Sequence, residues 1–231
     1  MDQQLKAKTT SHQDPARDLA AEFESRLQQV EASSMHGQLP IIWEKAEDFH
    51  VFDPLGTKYI DFSSGIFIAN AGHNNPEVKK AITTAMEGPI STYTYMSKPR
   101  LNYLEYLIEN TPAQFEKAFL LSAGTEATEA ALKLIKLYGM KKGYKKNIVL
   151  SFTGNWHGRT IGAQLLSGNP GQREWIDMPS DKSILHLPFP LPWEEAFTDE
   201  SAYNSFEEHL NNLAKTHGFD PENDVRGIVM E

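Results

Sequence analysis

The chain has 231 residues, contains no cysteine and carries a formal net charge of −9. The absence of cysteine excludes disulfides, thiolate metal ligands and cysteine nucleophiles, and is typical of a reducing compartment. The negative charge argues against nucleic acid and against an anionic membrane as partners. No apolar run is long enough to span a bilayer and the start carries no signal or transit segment, so the sequence predicts a cytoplasmic protein.

The first residues of the chain predict a leader followed by a helix. Residues 1–14 have almost no apolar side chains with which to offset the entropy of ordering, so a disordered leader is expected. A helix is expected from Pro15, with Asp14 as its cap. Its narrow apolar stripe favours packing against the body of the protein or against a second subunit. The stripe consists of Leu19, Phe23, Leu27 and Val30.

Short extended runs come next, at residues 41–43, 49–52 and 58–62. The turn signal at 53–56 separates the last two, which predicts a β-hairpin or a small meander. Residues 63–73 are mostly apolar or small and include glycines, and a stretch of this kind can pass close to a ligand.

Two helices are predicted in the next part of the chain, over residues 76–86 and 99–109. Gly88 and Pro89 and the aromatic loop 91–96 separate them.

The sequence around Gly124 predicts a phosphate-binding turn. Residues 119–121 form an apolar run that predicts a strand, and an amphipathic helix follows the turn as far as Tyr138. Because the first amides of a helix have no intrahelical partner and lie at the positive end of its dipole, an anion can bind over Gly124 and Thr125. The hydroxyls of Ser122 and Thr125 can donate to phosphate oxygens. The alternative is an ordinary connection in which a Ser or Thr caps the helix.

One face of that helix is predicted to be buried because its apolar residues recur at helical spacing. Glu129 and Lys133 lie one turn apart on the opposite face. The predicted buried face consists of Ala127, Ala130, Ala131, Leu134, Ile135 and Tyr138.

The second half of the chain predicts a parallel sheet. Residues 147–152 form an apolar strand after the helix, and residues 184–187 and 225–231 form two more, with a helix over 203–216 before the last. Strand, helix and strand in this order imply a crossover connection and parallel strands. Ligands bind such sheets at the carboxyl ends of the strands, where the phosphate turn and the loop 153–160 both lie.

Within that loop, Trp156 and His157 are candidates for ligand binding. An indole at the end of a strand offers a flat face for stacking an aromatic ring, and Gly158 allows close approach. The alternative is a core tryptophan with a surface His and Arg. Beside a phosphate turn, these residues point to a planar phosphorylated aromatic such as pyridoxal phosphate. The eight histidines lack metal-ligand spacing, so no metal site is expected.

Four segments resemble, in order, the motifs of the class III aminotransferases, which are fold type I pyridoxal-phosphate enzymes that include the 4-aminobutyrate and ornithine transaminases. The resemblance implies an α/β fold with a mostly parallel sheet and flanking helices, together with the start of a small α+β domain. It implies an amino-terminal helix and small-domain β segment over residues 15–75 and the first half of the large cofactor-binding domain over 76–231. The matching segments are 56–76, 119–133, 154–160 and 227–231.

The resemblance also implies roles for particular residues. The residues matching Gly124 and Thr125 hold the cofactor phosphate through backbone amides, and the aromatic matching Trp156 stacks on the pyridine ring with His157 beside it. Glu231 matches the glutamate that opens a Glu-Pro motif near the cofactor. The chain departs from the family in having Ala123 where Ser or Thr is usual, and Trp156 where Tyr or Phe is usual.

For the substrate, the resemblance implies an amino donor, an ω-amino or basic amino acid, and a 2-oxo acid acceptor, in a homodimer that builds its sites from two chains. Ile66 stands where ornithine enzymes tend to carry a tyrosine and 4-aminobutyrate enzymes an isoleucine, which indicates a short ω-amino acid. Tyr93 and Tyr95 either line the substrate entrance or subunit interface, or pack under their loop.

The family's catalytic lysine and the aspartate that pairs with the pyridine nitrogen have no match in this chain, so its own catalytic residues are unknown. The resemblance therefore implies a truncated, amino-terminal part of an aminotransferase that does not transaminate by itself. Two alternatives stay open. One is an aminomutase, racemase or decarboxylase on the same scaffold, and the other is a non-catalytic subunit that only binds a ligand or dimerises.

Overall fold

A computed structural model describes residues 14–32, 39–174, 177, 181–189 and 199–231. The expected leader, residues 1–14, lies outside this part of the chain except for Asp14. The chain divides into two compact units, Met1–Leu101 and Asn102–Glu231.

The first unit begins with helix α1, Pro15–Val30, as the sequence predicts. The carboxylate of Asp14 accepts a hydrogen bond from the backbone N–H of Ala16 at 3.2 Å. Since the first-turn amides of a helix have no intrahelical partner, this contact and the proline at the first position fix where the helix starts. Ala20 is the buried residue of α1.

A three-stranded antiparallel meander follows, in the order β1 (Lys45–Glu47), β2 (His50–Phe52) and β3 (Lys58–Ile60), which confirms the predicted hairpin or small meander. The turn between β2 and β3 is held by Asp53, whose carboxylate accepts from the amides of Leu55 and Thr57 at 3.0 and 2.7 Å. The predicted first strand at 41–43 is wrong, because the ladder with β2 begins only where Lys45 pairs with Phe52.

Residues 63–73 contain a left-handed turn, which the sequence had indicated only as a stretch of small and apolar residues. Ser64, Gly65, Ile66 and Phe67 all have positive φ angles, a backbone region that non-glycine residues rarely adopt. Asp61 fixes the turn, since its carboxylate accepts from the amides of Ser63 and Gly65 and lies 2.8 Å from Nε2 of His73. The helices of this region are α2 Ser64–Phe67, α3 Pro76–Ala85 and α4 Lys98–Glu109, the last two close to the predicted bounds.

The second unit is built on a three-stranded parallel sheet formed by β4 (Ile148–Phe152), β5 (Ile184–Leu187) and β6 (Val225–Ile228). Their order in the sheet is β5-β4-β6. All five residues of β4 are buried. A strand covered on both faces is expected to show a continuous apolar run, and this pattern allowed β4 to be predicted.

Helices cover both faces of this sheet. Leu150 and Phe152 of β4 belong to one apolar cluster with Ala214 of helix α8, Asp199–His217. Val149 belongs to a second cluster on the opposite face, with Leu132 and with Leu166. The helices are α5 Gly124–Lys141, α6 Ile161–Leu166, α7 Gly171–Glu174, α8 Asp199–His217 and α9 Pro221–Asp224.

The predicted buried face of α5 is only partly correct. Ile135 packs against the buried cluster that contains Val149 and Leu166, as predicted. Leu134 and Tyr138 are 60% and 53% exposed, whereas Leu132 and Gly139 are buried. The face toward the sheet is selected by close packing: a Cβ on Gly139 would lie 1.5 Å from Oδ1 of Asn147. Both faces of α5 carry apolar residues, so helical periodicity alone did not distinguish them.

The strand predicted at residues 119–121 is absent, and the segment is irregular up to the turn before α5. A strand requires a neighbour that pairs with its backbone N–H and C=O groups. In the described part of the chain no segment pairs with 119–121, and Phe119 is 72% exposed.

Candidate functional site

The amino-terminal turn of α5 and the loop that follows β4 are in direct contact. Oγ1 of Thr125 lies 2.9 Å from Oγ1 of Thr160, and the backbone N–H of Thr160 donates to the same Thr125 oxygen at 3.3 Å. The two residues are 35 positions apart in the chain. The phosphate turn and the loop carrying Trp156 therefore lie at one edge of the sheet.

Gly158 makes this approach feasible. A Cβ at this position would lie 2.3 Å from Oγ1 and 3.0 Å from Cα of Thr125, closer than atoms can pack. Its φ angle of +125° is also one that side-chain-bearing residues rarely adopt. Glycine is thus required here on two independent grounds.

The amino terminus of α5 is open to an anion. Its N-cap is Ala123, which provides no side-chain cap, so the alternative that Ser or Thr caps this helix is wrong. A Cβ on Gly124 would meet nothing within 4 Å. Among the described residues, no group accepts a hydrogen bond from the amide of Gly124 or Thr125. These orphan donors at the positive end of the helix dipole fit a phosphate group.

Both the hydroxyl and the backbone N–H of Ser122 are hydrogen-bonded to Glu126. Its hydroxyl donates to the Glu126 carboxylate, and its backbone N–H donates to the same oxygen at 3.0 Å. The hydrogen bonds from Ser122 lower the pKa of Glu126 below its ordinary value. Glu126 is therefore an anion that is turned back onto Ser122.

Trp156 lies on the loop after β4 with 38% of its surface exposed. Its backbone N–H donates to Oε2 of Glu231 at 2.5 Å, which joins this loop to the segment that follows β6. The guanidinium carbon of Arg159 lies 5.4 Å from the centre of the indole ring, a cation–π distance. The core-tryptophan alternative is not supported, since the ring is partly open to solvent.

His157 is held at both its backbone and its ring. Its backbone N–H donates to Oγ of Ser167 at 2.9 Å, and its Nε2 atom lies 3.3 Å from Oγ of Ser151. Burial lowers the pKa of His157, and the Glu231 carboxylate opposes part of that shift.

Glu129 caps a neighbouring helix at the site, a role that the sequence did not indicate. Its Oε1 atom accepts from the amides of Gly162 and Ala163, at 2.7 and 3.2 Å, and so caps α6 from a neighbouring helix. The cap residue of α6 itself, Thr160, makes no side-chain cap bond. The sequence indicated only a solvent-facing pair with Lys133, because a cap supplied from another helix leaves no local pattern.

We expect Glu129→Ala to destabilise the fold by about 1–2 kcal/mol, the usual cost of losing a helix cap. Although burial favours its protonated form, hydrogen bonds from Thr160, Ala163 and Gly162 hold the pKa of Glu129 below its ordinary value. A carboxyl group with a lowered folded-state pKa stabilises the fold above its unfolded-state pKa, and the effect is lost as pH falls through the folded-state pKa. Denaturant unfolding of wild type and variant at pH 7 and at acid pH measures both effects.

The matched control is Glu129→Gln, which keeps an oxygen acceptor but does not titrate. It is expected to recover part of the stability at pH 7 and to remove the acid dependence. An alanine variant as stable as wild type at neutral pH would show that the cap contributes nothing.

The two residues predicted to contact substrate belong to the first unit. Ile66 lies in the left-handed turn, with a φ of 60° and 71% exposure. Tyr93 is 88% exposed, so it does not pack beneath its own loop. The carbonyl of Tyr93 accepts a hydrogen bond from Arg100 at 3.5 Å.

The described residues contain no cluster of side chains suited to a metal ion. In that same part of the chain, no helix combines the length and apolar character that crossing a membrane demands.

The α/β fold of the chain is shared with solved transaminase structures. One is the taurine:2-oxoglutarate aminotransferase from Bifidobacterium kashiwanohense, in complex with PLP and glutamate, with a TM-score of 0.75, 24% identity, and coverage of 92% of this chain and 48% of that chain. Another is an (S)-enantioselective omega-transaminase from Thermomicrobium roseum, with a TM-score of 0.77, 23% identity, and coverage of 90% and 48%. These likenesses establish the fold, a fold type I α/β architecture, as predicted.

The chain belongs to the class III aminotransferase family, because the model of that family, "Aminotransferase class-III", matches residues 31–231. It is 36% identical over 148 residues to succinylornithine transaminase from Photorhabdus laumondii, covering 63% of this chain and 36% of that protein. It is 38% identical over 133 residues to ornithine aminotransferase from Saccharomyces cerevisiae, covering 56% and 31%. The chain therefore spans about a third of the length of these relatives.

Proposed function

We propose that this chain supplies the phosphate-binding and ring-stacking walls of a pyridoxal-phosphate site in an enzyme that moves an amino group from an amino acid to a 2-oxo acid. Membership of the class III aminotransferase family supports the reaction and the cofactor. The observation that carries the assignment of residues is the contact between Thr125 and Thr160, which places an open helix terminus beside the loop that bears Trp156.

Each wall has a defined task in this proposal. The amides of Gly124 and Thr125 bind the phosphate, with no competing partner among the described residues. Trp156 stacks on the pyridine ring, and Glu231 holds the backbone of Trp156 in place. The bound cofactor supplies an electron sink, which the protein's own side chains lack.

Ser122 has a smaller part in this proposal than the sequence suggested. Its hydroxyl donates to Glu126, so it reaches a phosphate only if that hydrogen bond opens. We propose that the backbone amides, rather than the Ser122 hydroxyl, provide the main contacts to the anion.

For the amino donor, we propose an amino acid with a terminal amino group. Two relatives are named succinylornithine transaminase and ornithine aminotransferase, which supports a donor of this kind. Ile66 and Tyr93 are proposed as residues that contact substrate, a role that rests on the family resemblance.

The setting of the site is also proposed from the resemblance. We propose that the enzyme is a homodimer in the cytoplasm. We also propose that residues 15–75 form a small-domain segment and that residues 76–231 form the first part of a cofactor-binding domain. We further propose that these 231 residues do not transaminate on their own, because the family's cofactor-binding lysine and ring-pairing aspartate have no match among them.

Calorimetry tests the proposal with 4-deoxypyridoxine 5′-phosphate, which has the ring and the phosphate of the cofactor but no aldehyde to react with surface lysines. We expect saturable binding at least about tenfold tighter than that of 4-deoxypyridoxine, a difference of about 1.4 kcal/mol. Equal affinity for the two ligands would contradict a phosphate-binding role. In a parallel assay with pyridoxal phosphate, N-acetylornithine and 2-oxoglutarate, glutamate formation above the protein-free rate would contradict the proposed inactivity.

A further inference from the structure

A series of hydrogen bonds runs from the loop after β4 into the face of the sheet covered by α5 and α6. Nε2 of His157 lies 3.3 Å from Oγ of Ser151, and the Ser151 hydroxyl lies 2.7 Å from the backbone carbonyl oxygen of Leu166. Nε2 of His186 lies 3.2 Å from that same carbonyl oxygen. Ser151 has no exposed surface, so solvent does not supply a substitute partner for its hydroxyl.

The direction of each bond follows from the number of protons available. A carbonyl oxygen can only accept, so the single hydroxyl proton of Ser151 is donated to Leu166. The Ser151 oxygen then offers only lone pairs to His157, and Nε2 of His157 must carry the proton that joins them. In the reverse arrangement, the oxygens of Ser151 and Leu166 would face each other at 2.7 Å without a hydrogen between them.

We propose that Ser151 is a positioning residue that fixes His157 as the Nε2–H tautomer and leaves its Nδ1 atom as a hydrogen-bond acceptor. Among the described residues, no group donates to Nδ1 of His157. The tautomer follows from the protein's own atoms, whereas the identity of the group that Nδ1 meets rests on the proposed function.

As a consequence, His157 and the terminus of α5 bind different parts of the ligand. A neutral imidazole nitrogen with a lone pair accepts from a hydroxyl, an ammonium or a water, and it is repelled by the oxygens of a phosphate. Burial, which lowers the pKa of His157 against the opposing effect of Glu231, favours the neutral ring. His157 therefore contacts a donor-bearing part of the ligand, and the phosphate is left to Gly124 and Thr125.

Nitrogen-15 NMR of the histidine rings, on the full chain without ligand, tests the tautomer. We expect the His157 resonances, assigned with His157→Gln, to show a protonated Nε2 and an unprotonated Nδ1. An Nδ1–H tautomer in the wild-type chain would overturn the proposal, and this outcome requires no variant in the sheet to fold.

Ser151→Ala tests the positioning role. The Nε2–H signal of His157 should be lost through fast exchange with water, and a second tautomer should appear. The matched control is Ser167→Ala, which removes another buried hydroxyl that bonds His157, but at its backbone N–H rather than its ring. The control should leave the ring signals unchanged, and an unchanged signal in Ser151→Ala would overturn the role of Ser151.

A titration with 4-deoxypyridoxine 5′-phosphate tests the ligand half of the inference. Binding accompanied by a shift of the His157 Nδ1 resonance supports it, and binding without that shift overturns it. Failure to bind would contradict the proposed function while leaving the tautomer result intact, so the two failures are distinguishable.

Discussion

Gly158→Ala is expected to weaken binding of 4-deoxypyridoxine 5′-phosphate by at least about tenfold, or about 1.4 kcal/mol. The added Cβ would lie 2.3 Å from Oγ1 and 3.0 Å from Cα of Thr125, so the loop after β4 and the turn of α5 must separate. The φ angle of +125° adds strain, which for a side-chain-bearing residue costs about 1–3 kcal/mol. Calorimetric binding and denaturant unfolding measure the two effects separately.

Gly154→Ala is the matched control for this substitution. Gly154 lies in the same loop with a φ of +87°, but a Cβ there would meet nothing within 4 Å. It should therefore show the strain in its unfolding free energy and near wild-type affinity for the ligand. If Gly158→Ala bound the ligand as tightly as Gly154→Ala does, the contact between loop and helix terminus would have no part in binding.

Trp156→Ala is expected to raise the dissociation constant of the same ligand by about tenfold, since aromatic stacking is worth about 0.5–1.5 kcal/mol beyond burial. The substitution keeps the backbone N–H that donates to Glu231, so the loop retains its attachment to the segment after β6. Calorimetry at one pH and salt concentration gives the comparison with wild type.

Trp156→Phe separates stacking from mere bulk at this position. Phenylalanine keeps a flat ring and should recover most of the affinity, whereas Trp156→Leu, which is apolar but not aromatic, should not. Equal affinity of the alanine variant and the wild type would remove Trp156 from the site.

The architecture of the second unit was largely predictable, because its central strand β4 is buried on both faces and stands out as a continuous, mainly apolar run. The parallel order of the strands in this unit predicts that the turn at Gly124 and the loop at Trp156 lie at one edge of the sheet. The antiparallel segment was predictable from the turn at Asp53, although the position of its first strand depended on pairing with β2.

Features that depend on contacts between distant residues were not predictable. The buried face of α5 includes Gly139, which packs against Asn147, and this contact leaves no periodic signal. The cap that Glu129 places on α6 likewise joins residues more than 30 positions apart.

Backbone segments without a pairing partner and the tautomer of His157 also could not be predicted from the sequence. Residues 119–121 have the composition of a strand but no pairing partner in the described part of the chain. The proton arrangement around Ser151 depends on a carbonyl oxygen of α6 that no sequence pattern reveals.

The most direct test is a two-dimensional ¹H–¹⁵N spectrum recorded as 4-deoxypyridoxine 5′-phosphate is added to the chain. A single ligand should shift the backbone amides of Gly124 and Thr125 and the indole N–H of Trp156 together, with one shared dissociation constant. Shifts confined to the helix terminus or to the indole, or two different dissociation constants, would contradict the claim that both belong to one site.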